Sequence, residues 1–216
     1  MRQKKILCSL IILIVITILA AGTMAYFTAT ESIRNKFMIA GYDPDNPQKP
    51  EDELFSIKVY ETDENGNETL KGREYGEMLP GKEVEKDPTV ENTGRYGQWV
   101  RAEVILSNAK GWKEIEEKHG IDFRELMGGY DSDKWLFAEE RYDKQADERI
   151  YTFYLKRELK SGEKETLFER FRMPAELDTE DLTKLREFEI RIEAVAIQSE
   201  GTGENAKAAF ENCYGS

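Results

Sequence analysis

The sequence has very little cysteine and histidine, the residues that most often build disulfide scaffolds and metal or catalytic centres. Its 216 residues include two cysteines and one histidine. Cys8 lies in an N-terminal apolar run that we expect to be removed, which would leave Cys213 as the only thiol. Because one thiol cannot form an internal disulfide, a disulfide-stapled fold is excluded.

Common catalytic motifs are also missing. The chain contains no His-Glu-x-x-His, no Gly-x-Ser-x-Gly and no Gly-rich phosphate-binding loop. His119 follows Glu116 and Glu117 on a predicted helix, where we expect a cation near the helix C-terminus rather than a zinc ligand. We therefore predict that the protein is not an enzyme and has no catalytic, cofactor-binding or metal-binding residues.

One acidic stretch leaves calcium binding open as an alternative. Asp63, Asn65 and Asn67 are spaced as in a twelve-residue calcium loop that would end at Glu74. Glu68, however, stands where such a loop needs glycine, so a hairpin turn is the favoured interpretation. Weaker acidic pairs occur at Asp43/Asp45 and Asp131/Asp133.

Basic residues are outnumbered by acidic ones. The chain has 31 Lys and Arg against 43 Asp and Glu, which gives a net charge of −12. The first 25 residues carry three cations and no acid, so the remainder would carry −15. A surface of this charge repels nucleic acid and anionic lipid headgroups, and we expect no nucleic-acid partner.

The N-terminus has the pattern of a signal peptide. A basic segment, Met1–Lys5, precedes the apolar run Ile6–Ala20, which is shorter than the roughly 20 residues that span a bilayer. Small residues follow, and we predict cleavage between Ala25 and Tyr26, so that 1–25 is removed and the protein is secreted. An uncleaved anchor helix is the alternative.

Beyond the leader, periodicity indicates strands. Prolines prevent helix in 41–50, so we expect 26–53 to form a short N-terminal strand and a loop. From Leu54 onward apolar and polar residues alternate, most clearly over 100–106. Further strands are predicted over 55–59, 84–90, 135–137, 150–155, 167–173 and 188–196.

A helical insertion interrupts this pattern at about 109–133. Trp112, Ile115 and His119 share one helical face, and Gly120 is placed to end the helix. We predict an all-β fold for 54–216. It would be a two-sheet, jelly-roll-like sandwich with a short helical insertion, preceded by the N-terminal strand and the signal peptide.

Several segments together resemble a known family of secreted proteins. The residues Gly22–Glu31 are similar to the processing region of proteins cut by the signal peptidase SipW. The stretch from Leu79-Pro80-Gly81 through Asn92-Thr93-Gly94 to Val100-Arg101 resembles an inner segment of the same family. Looser similarities occur at Asn35-Lys36-Phe37, Gly41, Leu159, Gly162, Thr166–Phe168, Pro174, Ala194–Gln198 and Gly201. The family is that of TasA, the clostridial-type BsaA matrix proteins and camelysin.

The resemblance implies a jelly-roll subunit that SipW processes and that assembles into biofilm-matrix fibres at the cell surface. Its expected partners are copies of itself, SipW during export and an accessory anchor protein. Two alternatives stay open: a cell-surface binding protein that does not polymerise, and a camelysin-type metalloprotease. The helical insertion departs from the shortest family pattern.

In related fibres the N-terminal segment of one subunit completes a sheet of the next. Here 26–40 is the candidate donor strand, because cleavage would free it and because it is more apolar than a free tail should be. Its apolar residues are Tyr26, Phe27, Phe37, Met38 and Ile39.

Overall fold

The longest strands form one antiparallel sheet in the computed structural model, which describes residues 28–33 and 55–214. This sheet has five strands in the order β1-β12-β6-β9-β8. Their bounds are Thr28–Ile33 for β1, Gln98–Ser107 for β6, Trp135–Asp143 for β8, Glu148–Leu155 for β9 and Ile190–Gln198 for β12.

Two smaller antiparallel sheets form the opposite layer. One has the order β10-β5-β2-β3 and the other β4-β11-β7. Their strands are β2 (Ile57–Thr62), β3 (Glu68–Thr69), β4 (Glu83–Glu85), β5 (Thr89–Asn92), β7 (Met127–Gly128), β10 (Lys164–Thr166) and β11 (Arg170–Arg172). Inward side chains from all three sheets join one core cluster. The all-β sandwich predicted from the sequence is confirmed, with its second layer divided in two.

Short helices connect or cover the strands. They are α1 (Ala109–His119), a 3-10 helix (Phe123–Leu126), α2 (Thr179–Lys184) and α3 (Ala206–Tyr214). The first two form the predicted insertion between β6 and β8. Gly120 ends α1 with a φ of 68°, a left-handed conformation that suits glycine, as predicted. Asp122 caps the 3-10 helix by accepting a hydrogen bond from the N–H of Arg124.

The insertion is held to the sandwich by aromatic packing. The ring of Trp112 on α1 lies edge-on to Phe123 at 5.2 Å and to Phe188 at 5.1 Å between centroids. Phe171 of β11 lies 6.3 Å from the same ring. Trp112 is fully buried, so α1 is part of the core rather than a surface addition.

The strand predicted over 84–90 is wrong as a single element. The chain forms β4 and β5 instead, which belong to different sheets. Pro88 has no N–H for a ladder between them. Lys86 also turns inward, where its ammonium lies 2.6 Å from a carboxylate oxygen of Glu61. The link between β4 and β5 therefore crosses from one sheet to the other.

The strand predicted over 167–173 is shorter than expected: only Arg170–Arg172 form a strand (β11), and 167–169 link it to β10 of the other small sheet. Leu167 and Phe168 are consecutive and both buried, which a strand with alternating faces does not allow. The N–H of Leu167 donates to the carbonyl of Pro88 at 2.9 Å. The two crossing links thus run side by side between the smaller sheets.

The alternation predicted for β6 is confirmed and can be tested by substitution. Val104 is 0% exposed on the inner face of β6, opposite Ile192 of β12 and Tyr151 of β9. We predict that Val104→Asp unfolds the protein, because an unpaired buried carboxylate costs several kcal/mol out of the ~5–15 kcal/mol that stabilise a typical domain. The same change at exposed Leu136 should alter the free energy of unfolding by at most about 0.5 kcal/mol. Thermal melts of both variants check this, and an unchanged melting temperature for Val104→Asp would contradict the burial of this face.

The ion pair of Glu61 and Lys86 generates a second prediction, since their side chains are only 1% and 7% exposed. Glu61→Gln should destabilise the protein by roughly 3–5 kcal/mol, because it leaves the Lys86 ammonium buried without a counter-charge. The double variant Glu61→Leu/Lys86→Met should recover most of that loss, since a well-packed apolar pair is often as stable as a buried ion pair. Urea titrations measure both. A double variant as unstable as the single one would show that the pair is more than an isolated charge contact.

Candidate assembly site at the edge of the five-stranded sheet

The N-terminal strand covers one edge of the large sheet. β1 runs antiparallel to β12, with Thr28 opposite Ile197 and Ile33 opposite Ile192. β12 is bonded on its other side to β6, so β1 is the last strand of the sheet on this side. The six residues of β1 lie within the segment 26–40 that the sequence suggests as a donor strand.

The hydrogen-bond pattern of β12 shows which groups need β1. Beyond the end of β12, the N–H of Ser199 donates to the carbonyl of Gly97 at 3.0 Å, so odd-numbered residues of β12 bond towards β6. Even-numbered residues then direct their backbone groups at β1, and Ala194 lies opposite Glu31. Without a strand here, a row of backbone donors and acceptors would lose its partners.

The inner face of β12 carries apolar side chains that are buried in the core. Ile192, Ala194 and Ala196 are buried in the main core cluster. They lie in the same part of β12 that β1 pairs with. Removing β1 would therefore leave backbone groups of β12 without partners beside this buried apolar row.

The outer face of β12 is closed by charges and by α3. Arg191 is 10% exposed; its guanidinium lies 3.0 Å from a carboxylate oxygen of Glu148 and 2.9 Å from one of Glu193. Nearer the other end of the sheet, α3 places Phe210 over the face, with the Arg101 guanidinium 5.1 Å from its ring centre. The Arg191 ion pairs and α3 both lie on the outer face of the sheet. The backbone groups along the edge of β12 are bonded by β1 instead.

The opposite edge of the sheet has a different chemistry. β8 is the last strand there, and it has a register shift between Phe137 and Glu139. Glu139, Glu140 and Arg141 are exposed along it. Bulges and charges are the features by which natural edge strands avoid pairing with other molecules. The two edges of the large sheet are thus unequal: within 28–33 and 55–214, a strand from the N-terminal segment lies on β12, whereas β8 has none on its outer side.

Some predicted site residues cannot be placed. The cleavage pair Ala25 and Tyr26 lies outside the described residues, as do Phe27, Phe37, Met38 and Ile39. Within 26–40, β1 lies between the apolar pair Tyr26-Phe27 and the apolar run Phe37-Met38-Ile39. The acceptor residues on β12 were not identified from the sequence. Only the alternation of 188–196 pointed to a long strand, and nothing in it indicated a partner 160 residues earlier.

The single histidine belongs to an ion cluster that joins two helices. His119 Nε2 lies 2.8 Å from a carboxylate oxygen of Asp181 on α2, and Lys118 donates to the same carboxylate at 2.9 Å. The backbone N–H of Asp178 also donates to it, at 3.1 Å. The hydrogen bond from Lys118 is the main reason that the pKa of Asp181 lies well below its usual range. All these contacts are within the chain, so the cluster holds α1 against α2.

The acidic loop at 63–67 forms the predicted hairpin turn between β2 and β3. One oxygen of Asp63 accepts the N–H groups of both Asn65 and Asn67 at 2.8 Å. Those backbone bonds, chiefly the one from Asn67, lower the pKa of Asp63. Within 28–33 and 55–214, no group of three or more His, Cys, Asp or Glu side chains is arranged to hold a metal ion.

Comparisons with known proteins add no relative: no family model, no curated protein and no solved structure matches this chain. Among the described residues, no helix has both the length and the apolar character needed to cross a membrane.

Amide exchange tests the edge directly. In a chain that begins at Gly41 and so lacks β1, we expect the N–H of Ala194 to exchange rapidly, because it points at the missing strand. The N–H of Val195 bonds towards β6 and should stay protected. Hydrogen exchange followed by NMR on dilute protein measures both amides in one sample. Equal protection of the two would contradict the assigned pattern.

Proposed function

We propose that the protein is a secreted structural subunit that polymerises into extracellular biofilm-matrix fibres by donating its N-terminal strand to a neighbouring subunit. The observation that carries this proposal is the position of β1. It is an edge strand that begins at the third residue after the predicted cleavage site, and among the described residues it is bonded in the sheet to β12 alone.

Chain length supports an exchange between subunits. The 21 residues of 34–54 separate β1 from the rest of the described chain, and such a segment can span up to about 70 Å. A domain of this size has a radius of gyration of about 15 Å. Connections of more than about 15 residues are uncommon in compact domains and are often functional. β1 can therefore reach β12 of a neighbour.

The energetics also support exchange. The same β1–β12 bonds form whether the strand comes from the same chain or from another, so exchange changes few contacts. Ordering about seven residues of 26–40 costs about 7–14 kcal/mol at ~1–2 kcal/mol each. Burying four of the segment's five large apolar side chains would gain about 6–12 kcal/mol at ~1.5–3 kcal/mol each. A docking reaction this closely balanced can reverse, and multiple contacts along a fibre would then favour the exchanged form.

Charge would regulate assembly. The chain after the predicted cleavage site carries a net −15, which keeps separate subunits soluble and opposes their approach. Salt screens this repulsion within about 10 Å at 0.1 M. The proposed fibres should therefore form more readily as ionic strength rises.

Within the proposal, export follows cleavage between Ala25 and Tyr26 by a SipW-type peptidase, and the fibre is a homopolymer with an accessory protein as its anchor. The alternatives are a surface protein that binds a partner without polymerising and a camelysin-type metalloprotease. Neither is favoured by a specific contact among the described residues.

Electron microscopy of two purified chains tests the proposal. The chain beginning at Tyr26 should form filaments, and the chain beginning at Gly41 should remain folded but form none, because it lacks the donor strand. Added peptide 26–40 should bind the shorter chain.

Proline substitutions in β1 give a second test in the longer chain. Glu31→Pro should weaken assembly because the backbone N–H of Glu31 bonds to β12. Thr30→Pro should weaken it less, because the N–H of Thr30 points away from β12.

Three results would contradict the proposal. Normal filaments from the Gly41 chain would exclude β1 as the donor. A Tyr26 chain that stays monomeric at all concentrations would favour the non-polymerising binding protein. Casein hydrolysis that a chelator abolishes, in pure protein, would favour the protease.

A further inference from the structure

A large cleft opens beside the end of the β1–β12 pair. It has a volume of about 1180 Å³ and lies between the loop 72–79 and the segment 185–190. Sites for small molecules usually have volumes of about 300–1,000 Å³. The size of this cleft is therefore closer to that needed by a segment of polypeptide.

The cleft combines an apolar floor with polar walls. Phe171, Met173 and Leu185 are buried at its floor, and Phe188 forms part of its wall. Leu79, which is 59% exposed, stands at its rim. An apolar floor suits large aliphatic and aromatic side chains, while charged residues of both signs line the remaining walls of the cleft.

The direction of β1 identifies the occupant. β1 ends at Ile33 opposite Ile192, whereas β12 begins two residues earlier, at Ile190, which lines the cleft. If the same register continued, residue 35 would lie opposite Ile190 and residue 37 opposite Phe188. Directly opposed residues of an antiparallel pair share a face, so residues 37 and 39 would point towards the cleft.

We propose that this cleft receives Phe37-Met38-Ile39 of the polypeptide that supplies β1. These are three consecutive large apolar residues, only four to six positions after the end of β1. Which subunit supplies them rests on the proposed function. The cleft then acts as a second anchor that extends the β1–β12 contact, with Phe37 and Ile39 on the floor side and Met38 at the rim.

This arrangement gives the N-terminal segment two points of attachment. Backbone bonds along β12 hold β1, and apolar side chains in the cleft hold the residues after it. Two linked contacts dissociate more slowly than either contact alone. The cleft would thus determine how long a strand stays on a given subunit.

Crosslinking tests the proposal in the full-length chain expressed with its leader. In a Cys213→Ser background, Met38→Cys is combined with Glu187→Cys, an exposed residue of the cleft rim. The matched control combines Met38→Cys with Leu136→Cys, an exposed residue of β8. With a short bis-maleimide, the cleft pair should crosslink several-fold more than the control pair.

Mobility on a denaturing gel separates crosslinks within one chain from crosslinks between two chains. Either kind places residue 38 at the cleft and supports the inference. Equal or weaker crosslinking of the cleft pair would overturn it. If filaments formed without the cleft crosslink, the inference would fail and the proposed function would stand. If the cleft crosslink formed but no filaments did, the inference would stand and the proposed function would fail.

A second comparison uses the predicted alternation. Phe37→Asp should strongly reduce crosslinking between positions 38 and 187, since it places a carboxylate against the apolar floor. Ile39→Asp should do the same. Lys36→Asp, which the same alternation points away from the floor, should leave the yield nearly unchanged. Unchanged crosslinking in both Phe37→Asp and Ile39→Asp would overturn the assignment of the cleft.

Discussion

Backbone hydrogen bonding along β12 constrains much of this molecule. One side of the strand is bonded to β6 over nine residue pairs, which places Ile192, Ala194 and Ala196 in the core. The other side presents a second row of backbone N–H and C=O groups, which need hydrogen-bond partners that apolar core side chains cannot supply. In this structure β1 bonds them. The sandwich is therefore complete only when a strand from far away in the sequence is seated there.

The two edges of the large sheet differ in their chemistry. The β8 edge has a bulge and a row of exposed charges, features that oppose pairing, while β12 is paired with β1. Under the proposed function, a subunit with one accepting edge and one protected edge would add neighbours in a head-to-tail manner. Repeated addition of that kind produces a filament when the rotation between subunits does not close a ring. The geometry of the edges is thus compatible with linear assembly through one strand.

Charged residues make up 34% of the sequence, and several stabilise the fold from inside. Glu61 and Lys86 pair where the chain crosses between the smaller sheets, and Asp181 joins Lys118 and His119 where two helices meet. Buried pairs of this kind add little net stability, but losing one partner is costly. Their effect is to require particular neighbours, which favours one arrangement of short strands and loops over others.

Local pattern was sufficient for several elements. The alternation in β6 and β12, the turns at Gly66, Gly81 and Gly162 and the end of α1 at Gly120 all follow from side-chain period or from a backbone conformation that glycine adopts readily. These features depend on neighbours within a few residues, and the sequence contains those neighbours. The all-β class and the helical insertion were predictable for the same reason.

Other features depend on contacts between distant residues. The stretches 84–90 and 167–173 have strand-like composition, yet the first divides between two sheets and the second is partly a link between two sheets. Lys86 finds Glu61 25 positions earlier, and Leu167 bonds to Pro88 79 positions earlier. The pairing of β1 with β12 is the longest-range case. By itself the sequence determined which segments form strands, since that depends on local period and burial. Only the tertiary structure decided which strands meet, because register and pairing are chosen by packing between segments that no local pattern connects.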